Sequence, residues 1–114
     1  MGVLANSAFE KGTHVTGIIT ERLRAKGQLY PNLSMLESYP TMQSRKARMI
    51  ELADAFIMMP GGIGTLEEFM EVWTLNQLGE TSKALGVLNI DNYFANLLVF
   101  IDHMIAERFL PFAH

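Results

Sequence analysis

A glycine-rich segment followed by two carboxylates is the part of this sequence best suited to chemistry. It reads Pro60-Gly61-Gly62-Ile63-Gly64-Thr65-Leu66-Glu67-Glu68. Its glycines let the backbone turn tightly and approach a ligand without Cβ clashes, and free N–H groups at the start of a helix attract an anion. The segment therefore predicts a phosphate-binding turn with carboxylates close by.

Two common nucleotide-binding patterns do not fit this segment. The chain contains no Gly-Lys-Ser or Gly-Lys-Thr, which excludes a Walker A loop. The dinucleotide pattern needs a third glycine after Gly62-Ile63-Gly64, and Thr65, Leu66 and Glu67 stand there instead. A strand-to-helix turn without a ligand remains an alternative for the glycines, and a capping box with Thr65 remains one for Glu68.

A basic cluster is the second candidate for chemistry. Ser44-Arg45-Lys46-Ala47-Arg48 has a local charge of +3 in a chain of net charge −3. A guanidinium group can bind two phosphate oxygens at once through two of its N–H groups. The helix that carries this cluster directly precedes the strand that leads to the glycines. Arg45, Lys46 and Arg48 are therefore predicted to form an anion site. The alternative is a solvated basic helix face.

Alternating strands and helices are predicted to position these segments. The predicted strands are His14–Ile19, Ser34–Tyr39, Ala55–Met59 and Ala84–Ile90. The predicted helices are Val3–Lys11, Met42–Ala53 capped by Thr41, Thr65–Gln77, and a last helix capped by Asp91 or Asn92. Thr20–Leu33 is predicted to be a loop with a helical turn at Glu21–Ala25, and Arg108–His114 a tail without a paired element.

This order predicts an α/β fold, a three-layer Rossmann-like parallel sheet with helices on both faces, in a single domain over residues 1–114. Ligands of such sheets bind at the carboxyl ends of the strands. The loops after Ile19, Tyr39, Met59 and Ile90 are therefore the candidate walls of a site.

Composition excludes several classes of protein. A chain of 114 residues with 49% hydrophobic and 18% charged residues can bury a core, which argues against disorder. Zero cysteines and three scattered histidines argue against a zinc site, and a net charge of 9 − 12 = −3 argues against nucleic-acid binding. No apolar run reaches the roughly 18 residues of a membrane span, so a cytoplasmic protein is expected.

The motifs together resemble the LONELY GUY family of cytokinin riboside 5′-monophosphate phosphoribohydrolases, whose members were often labelled lysine decarboxylases. Arg45-Lys46, Asp54-Ala55-Phe56-Ile57 and the glycine-rich segment carry the resemblance, which extends over nearly the whole chain. Met1-Gly2 is similar to the end of the family's first glycine-rich turn. The family's first strand is therefore expected upstream of Met1, which would make the domain incomplete.

The resemblance implies hydrolysis of the N-glycosidic bond of AMP or an N6-substituted AMP, which releases the free base and ribose 5-phosphate. It implies no metal and no cofactor, and a homodimer or larger homo-oligomer. Arg45 and Glu68 would be the catalytic residues. The substrate-binding residues implied are Lys46, Gly61, Gly62, Ile63, Gly64, Thr65, Glu67 and Thr74.

Two other functions are alternatives to this hydrolysis. A non-catalytic carrier of a nucleotide or of molybdenum cofactor is the alternative, because such carriers are similar in fold and also have a glycine-rich loop. A lysine decarboxylase would need pyridoxal phosphate on a lysine. None of the four lysines lies in a sequence context that indicates a Schiff base. They are Lys11, Lys26, Lys46 and Lys83.

Overall fold

The computed structural model describes residues 1–27 and 31–111. It divides into two compact units, unit 1 over Met1–Leu52 and unit 2 over Ala53–His114. Residues 28–30 of the predicted loop and residues 112–114 of the predicted tail lie outside the described residues.

Within residues 1–27 and 31–52, unit 1 contains two parallel strands and three helices. The elements are α1 (Gly2–Glu10), β1 (Thr16–Thr20), α2 (Glu21–Ala25), β2 (Met35–Tyr39) and α3 (Met42–Leu52). β1 and β2 pair in parallel from Thr16 opposite Met35 to Thr20 opposite Tyr39. Both α2 and α3 pack against these strands, which is the arrangement of β-α-β units.

A reciprocal capping box starts α3. The Ser44 amide donates to Thr41 Oγ1 at 3.0 Å, and the Thr41 amide donates to Ser44 Oγ at 3.3 Å. The first helical hydrogen bond follows, from the Arg45 amide to the Thr41 carbonyl at 3.1 Å. The predicted cap is confirmed, and Arg45 lies in the first turn of the helix.

Unit 2 contains the second strand pair and the buried core. Its elements are β3 (Ala55–Met58), α4 (Ile63–Gln77), β4 (Ala84–Val87), a 3-10 turn (Ile90–Asn92) and α5 (Ala95–Ala106). β3 and β4 pair in parallel from Ala55 opposite Ala84 to Met58 opposite Val87. The buried Met58, Phe69 and Phe94 form the core, and half-buried residues of α4, β4 and α5 pack around them.

The α/β class and the parallel pairing of the strands are confirmed, although the four strands of the described residues form two separate pairs. Each predicted strand is present, with one or both of its ends shifted. The helical turn predicted in the first loop is α2, which Thr20 caps by accepting a hydrogen bond from the Leu23 amide at 3.3 Å.

Two predicted helix starts are wrong. α4 begins at Ile63 with Gly62 as its N-cap, so Thr65 and Glu68 do not form a capping box. α5 begins at Ala95, because Asp91 and Asn92 adopt left-handed backbone angles, φ 49° and 59°, in the preceding turn. The side chain that binds a backbone amide just before α5 is Asn89, whose Oδ1 accepts a hydrogen bond from the Phe94 amide at 2.8 Å.

Candidate functional site

The glycine turn of unit 2 joins β3 to α4. Gly62 is the N-cap of this 15-residue helix with an extended backbone, φ −97° and ψ −158°. Its carbonyl accepts hydrogen bonds from the Thr65 and Leu66 amides at 3.1 and 3.3 Å. Gly62 and Gly64 are exposed, and Ile63 is 83% exposed. The positive end of the α4 dipole therefore faces solvent at this turn.

Gly61 and Thr65 pack against each other within the turn. A Cβ on Gly61 would lie 3.2 Å from Thr65 Cβ and closer to Thr65 Oγ1 than van der Waals contact allows. A Cβ on Gly62 or Gly64 would meet no atom of the described residues within 4 Å. Gly61 is therefore required by the packing of the turn, whereas Gly62 and Gly64 leave open space in front of the helix.

Helix α4 carries the predicted residues Glu67, Glu68 and Thr74. Glu68 is half-buried and lies one turn after Thr65 on the same face, a rise of about 4.5 Å along the axis. Glu67 is exposed. Thr74 lies about 14 Å from Thr65 along the axis, and its Oγ1 donates to the Met70 carbonyl at 2.8 Å. The helix therefore brings Glu68 close to the glycine turn, and it does not bring Thr74 there.

Arg45 and Lys46 belong to unit 1. The Arg45 Nε donates to the Ile18 carbonyl of β1 at 2.9 Å, and Arg45 Nη1 lies 3.7 Å from Met42 Sδ. Lys46 is half-buried on the same helix. The hydrogen bond to Ile18, the middle residue of β1, holds the Arg45 guanidinium at a defined position in unit 1.

Arg48, which was predicted to bind an anion with Arg45, is occupied by carboxylates. Its Nε and Nη2 donate to the two oxygens of Glu37 at 2.8 and 3.1 Å, and its Nη1 donates to Glu51 at 2.9 Å. The side chains of Arg48 and Glu37 are 29% and 19% exposed. The predicted anion-binding role of Arg48 is wrong, because this paired hydrogen bonding joins α3 to β2 within unit 1.

The ion pair also changes how its members titrate. Hydrogen bonds from Arg48, and then from Tyr39, hold the pKa of Glu37 below its ordinary value. The Tyr39 hydroxyl donates to Glu37 Oε2 at 2.7 Å, and this hydrogen bond raises the pKa of Tyr39. Both shifts favour the charged Glu37 and the neutral Tyr39.

Sequence reasoning missed Tyr93 at the glycine turn. The Tyr93 hydroxyl donates to the Gly61 carbonyl at 2.6 Å, and its ring meets the Phe94 ring edge-on at 4.9 Å between centroids. Tyr93 follows β4, and the loop after that strand was a predicted wall of the site. Its position at the carboxyl end of a neighbouring strand was the available signal.

The lysine of unit 2 does not fit a pyridoxal phosphate site at the glycine turn. Lys83 directly precedes β4, whose first residue Ala84 pairs with Ala55 at the start of β3. The glycine turn follows the other end of β3, about 13 Å away along a four-residue strand. Lys83 and the turn are therefore at opposite ends of the strand pair.

Within residues 1–27 and 31–111, histidine and acidic side chains form no group of three that could hold a metal ion. No helix in the same residues has both the length and the apolar character needed to cross a membrane.

Comparison with known proteins extends over the whole chain. A protein-family model described as "possible lysine decarboxylase" matches residues 1–114. A cytokinin riboside 5′-monophosphate phosphoribohydrolase of Arabidopsis thaliana is 41% identical over 110 residues, covering 96% of this chain and 52% of the relative. Two probable enzymes of the same name from Oryza sativa subsp. japonica are 40% identical, covering 96% and 100% of this chain and 52% and 50% of the relatives.

The chain thus spans about half the length of the curated relatives that it matches. The names of these relatives confirm the resemblance that the sequence motifs carry. The family model matches residues 1–114, and the Arabidopsis thaliana relative is 41% identical over 96% of the chain. The chain therefore belongs to the family described as possible lysine decarboxylase.

Proposed function

We propose that this chain acts in hydrolysing the N-glycosidic bond of adenine-type nucleoside 5′-monophosphates, either AMP or N6-substituted AMP. The glycine turn carries the proposal: Gly62 caps α4 with its backbone exposed, and Glu68 lies one helical turn further along. The names of the relatives support the same reaction.

The phosphate group is assigned to the glycine turn. Exposed N–H groups at the start of α4 and the helix dipole favour a dianion, and Gly62 and Gly64 leave open space for it. Gly61 and Thr65 shape the turn. Thr74 is retained as a binding residue on the resemblance alone, since it lies well along the helix and its hydroxyl donates to Met70.

Arg45 and Lys46 are assigned to the same substrate from the family resemblance. The local structure of unit 1 supports Arg45, because its Nε is held by the Ile18 carbonyl and the guanidinium is thereby oriented. Such fixed orientation lowers the entropic cost of placing a substrate. Glu67 is assigned a binding role from the resemblance.

The reaction replaces the bond between C1′ of the ribose and the base nitrogen. The oxygen of a water molecule forms the new bond to C1′, and the base leaves with the electrons of the broken bond. One proton of the water ends on the departing base. Positive charge builds up on the ribose during this step, as in glycoside hydrolysis. The Glu68 carboxylate is proposed to stabilise that charge or to accept the proton of the attacking water.

Release of free base tests this proposal. The chain is incubated with AMP and with isopentenyl-AMP, and base and ribose 5-phosphate are separated and quantified. Both products are expected in equal amounts. Glu68→Gln should lower the rate about 100- to 10,000-fold, the range for loss of a general acid or base. Glu80→Gln is the matched control, because Glu80 is an exposed carboxylate that follows α4.

Absence of base release from every purine nucleoside monophosphate would contradict the proposal. Tight retention of nucleotide without turnover would identify the carrier function instead.

We further propose that the protein is cytoplasmic and acts as a homodimer or larger homo-oligomer. Sedimentation equilibrium tests the second point, and a monomer at micromolar concentration would contradict it.

A further inference from the structure

The parallel pairing of β3 and β4 brings two loops to one edge of unit 2. Met58 pairs with Val87 at the ends of the strands, and the Leu88 amide donates to the Met58 carbonyl at 2.9 Å, which extends the pairing. The loops that follow the two strands therefore leave the same edge side by side. One of these loops is the glycine turn, and the other contains Tyr93.

The second loop is shaped so that Tyr93 reaches the first. Asp91 and Asn92 adopt left-handed backbone angles, which reverse the chain direction immediately before the tyrosine. The Asn89 side chain then holds the Phe94 amide at 2.8 Å. The result is the hydrogen bond of 2.6 Å from the Tyr93 hydroxyl to the Gly61 carbonyl.

This hydrogen bond also determines where the next N–H group points. A trans peptide is planar, and its C=O and N–H bonds point in opposite directions. The peptide between Gly61 and Gly62 is trans, so fixing the Gly61 carbonyl toward Tyr93 directs the Gly62 N–H away from the tyrosine. Two glycines in sequence would otherwise leave this peptide plane free to rotate.

We propose that Tyr93 is a positioning residue that holds the Gly61–Gly62 peptide so that the Gly62 N–H points at the 5′-phosphate of the substrate. This inference rests on the proposed function, because it takes the glycine turn as the phosphate site. Tyr93 acts through the backbone and does not touch the phosphate. Its effect is therefore specific to ligands that carry a phosphate group.

Tyr93→Phe tests the inference by removing one hydroxyl and keeping the ring that meets Phe94. Dissociation constants of AMP and of adenosine are measured by calorimetry for the wild-type chain and the variant. AMP affinity should fall about 3- to 10-fold, the range for one hydrogen bond, while adenosine affinity stays unchanged. In the kinetic assay, KM for AMP should rise by the same factor with kcat nearly constant, as expected for uniform binding.

Tyr39→Phe is the matched control. It removes a phenol hydroxyl that donates to the Glu37 carboxylate, and Tyr39 is not among the residues proposed to bind the substrate. The ratio of AMP to adenosine affinity should match the wild-type ratio in this variant. A general loss of protein stability would lower the affinities for AMP and adenosine together and leave their ratio unchanged.

Equal weakening of AMP and adenosine in Tyr93→Phe, or no change in either, would overturn the inference. A wild-type chain that binds neither ligand would overturn it together with the phosphate site. If the wild-type chain releases no base while Tyr93→Phe still weakens AMP selectively, the proposed reaction fails and the positioning role stands.

Discussion

Arg45 and Arg48 are the same residue type three positions apart on α3, yet their guanidinium groups have different surroundings. Arg48 donates to both oxygens of Glu37 and to Glu51, and Arg45 donates to the Ile18 carbonyl. Each of the two interactions that distinguish them, with Glu37 and with Ile18, involves a residue outside the helix. The difference between the two arginines is therefore a property of unit 1 and not of the local sequence.

The Glu37 cluster predicts a pH dependence of stability. Because its pKa is lowered in the folded state, charged Glu37 stabilises the fold above the ordinary value of 4.5, and this contribution is lost as the pH falls through the lowered pKa. Tyr39 has a raised pKa, so its contribution is present below 10.0 and is lost as the pH rises through the raised value. Both contributions are present near neutral pH.

Glu37→Gln should therefore reduce the dependence of stability on pH at both extremes. The measurement is the midpoint of thermal unfolding between pH 3 and pH 11, compared with the wild-type chain. Glu107→Gln is the control, since Glu107 is exposed after α5, and it should keep the wild-type profile. Identical profiles for Glu37→Gln and the wild-type chain would show that the ion pair does not contribute.

At the scale of elements, the glycine turn and α4 act as one part. Gly62 caps the helix, so the helix starts two residues before Thr65 and includes Gly64 in its first turn. Gly61 contacts Thr65, whereas a Cβ added to Gly64 would meet nothing within 4 Å among the described residues beyond its chain neighbours and its own helix backbone. Neighbouring glycines in one motif are thus present for different physical reasons.

Two alanine substitutions should change stability in opposite directions. Gly64→Ala places a better helix former in a helix without a clash and should raise the free energy of unfolding by about 0.5 to 1 kcal/mol. Gly61→Ala forces Thr65 aside and should lower it by about 1 to 3 kcal/mol. Urea unfolding followed by the fluorescence of Trp73, the single tryptophan, measures both in unit 2. Shifts of the same sign would contradict the assigned packing.

At the scale of the whole molecule, the buried core is distributed unevenly between the units. Among the described residues, the buried apolar side chains are Met58, Phe69, Val72 and Phe94, and all four belong to unit 2. In the described part of unit 1, the buried residue is Thr20. Units with few buried apolar contacts open more easily than the rest of a protein.

Hydrogen exchange should therefore differ between the units. Amides of β3 and the middle of α4 are expected to exchange most slowly, and those of β1 and β2 to exchange earlier. Mass spectrometry of peptides from the intact chain measures this in one experiment, with the exposed ends of α1 as the fast-exchanging reference. Equal protection of β1 and β3 would contradict the prediction.

The sequence alone determined the order of elements, because hydrophobic periodicity and turn residues act over a few positions. It located the glycine turn after a buried strand, the cap of α3 at Thr41, and the family through motifs that lie in continuous segments. It misplaced the start of α4, because Thr65 and Glu68 fit a capping pattern that Gly62 pre-empts.

Tertiary structure decided which of these residues are near one another. Arg48 donates hydrogen bonds to the Glu37 carboxylate, 11 positions away in the sequence, and Tyr93 donates to the Gly61 carbonyl, 32 positions away. Glu37 and Arg48 meet because α3 packs against β2, and Tyr93 and Gly61 meet because the pairing of β3 and β4 brings the loops that follow them to a common edge. Local patterns could therefore identify the parts of the candidate site, and only the folded chain could show what holds each part in place.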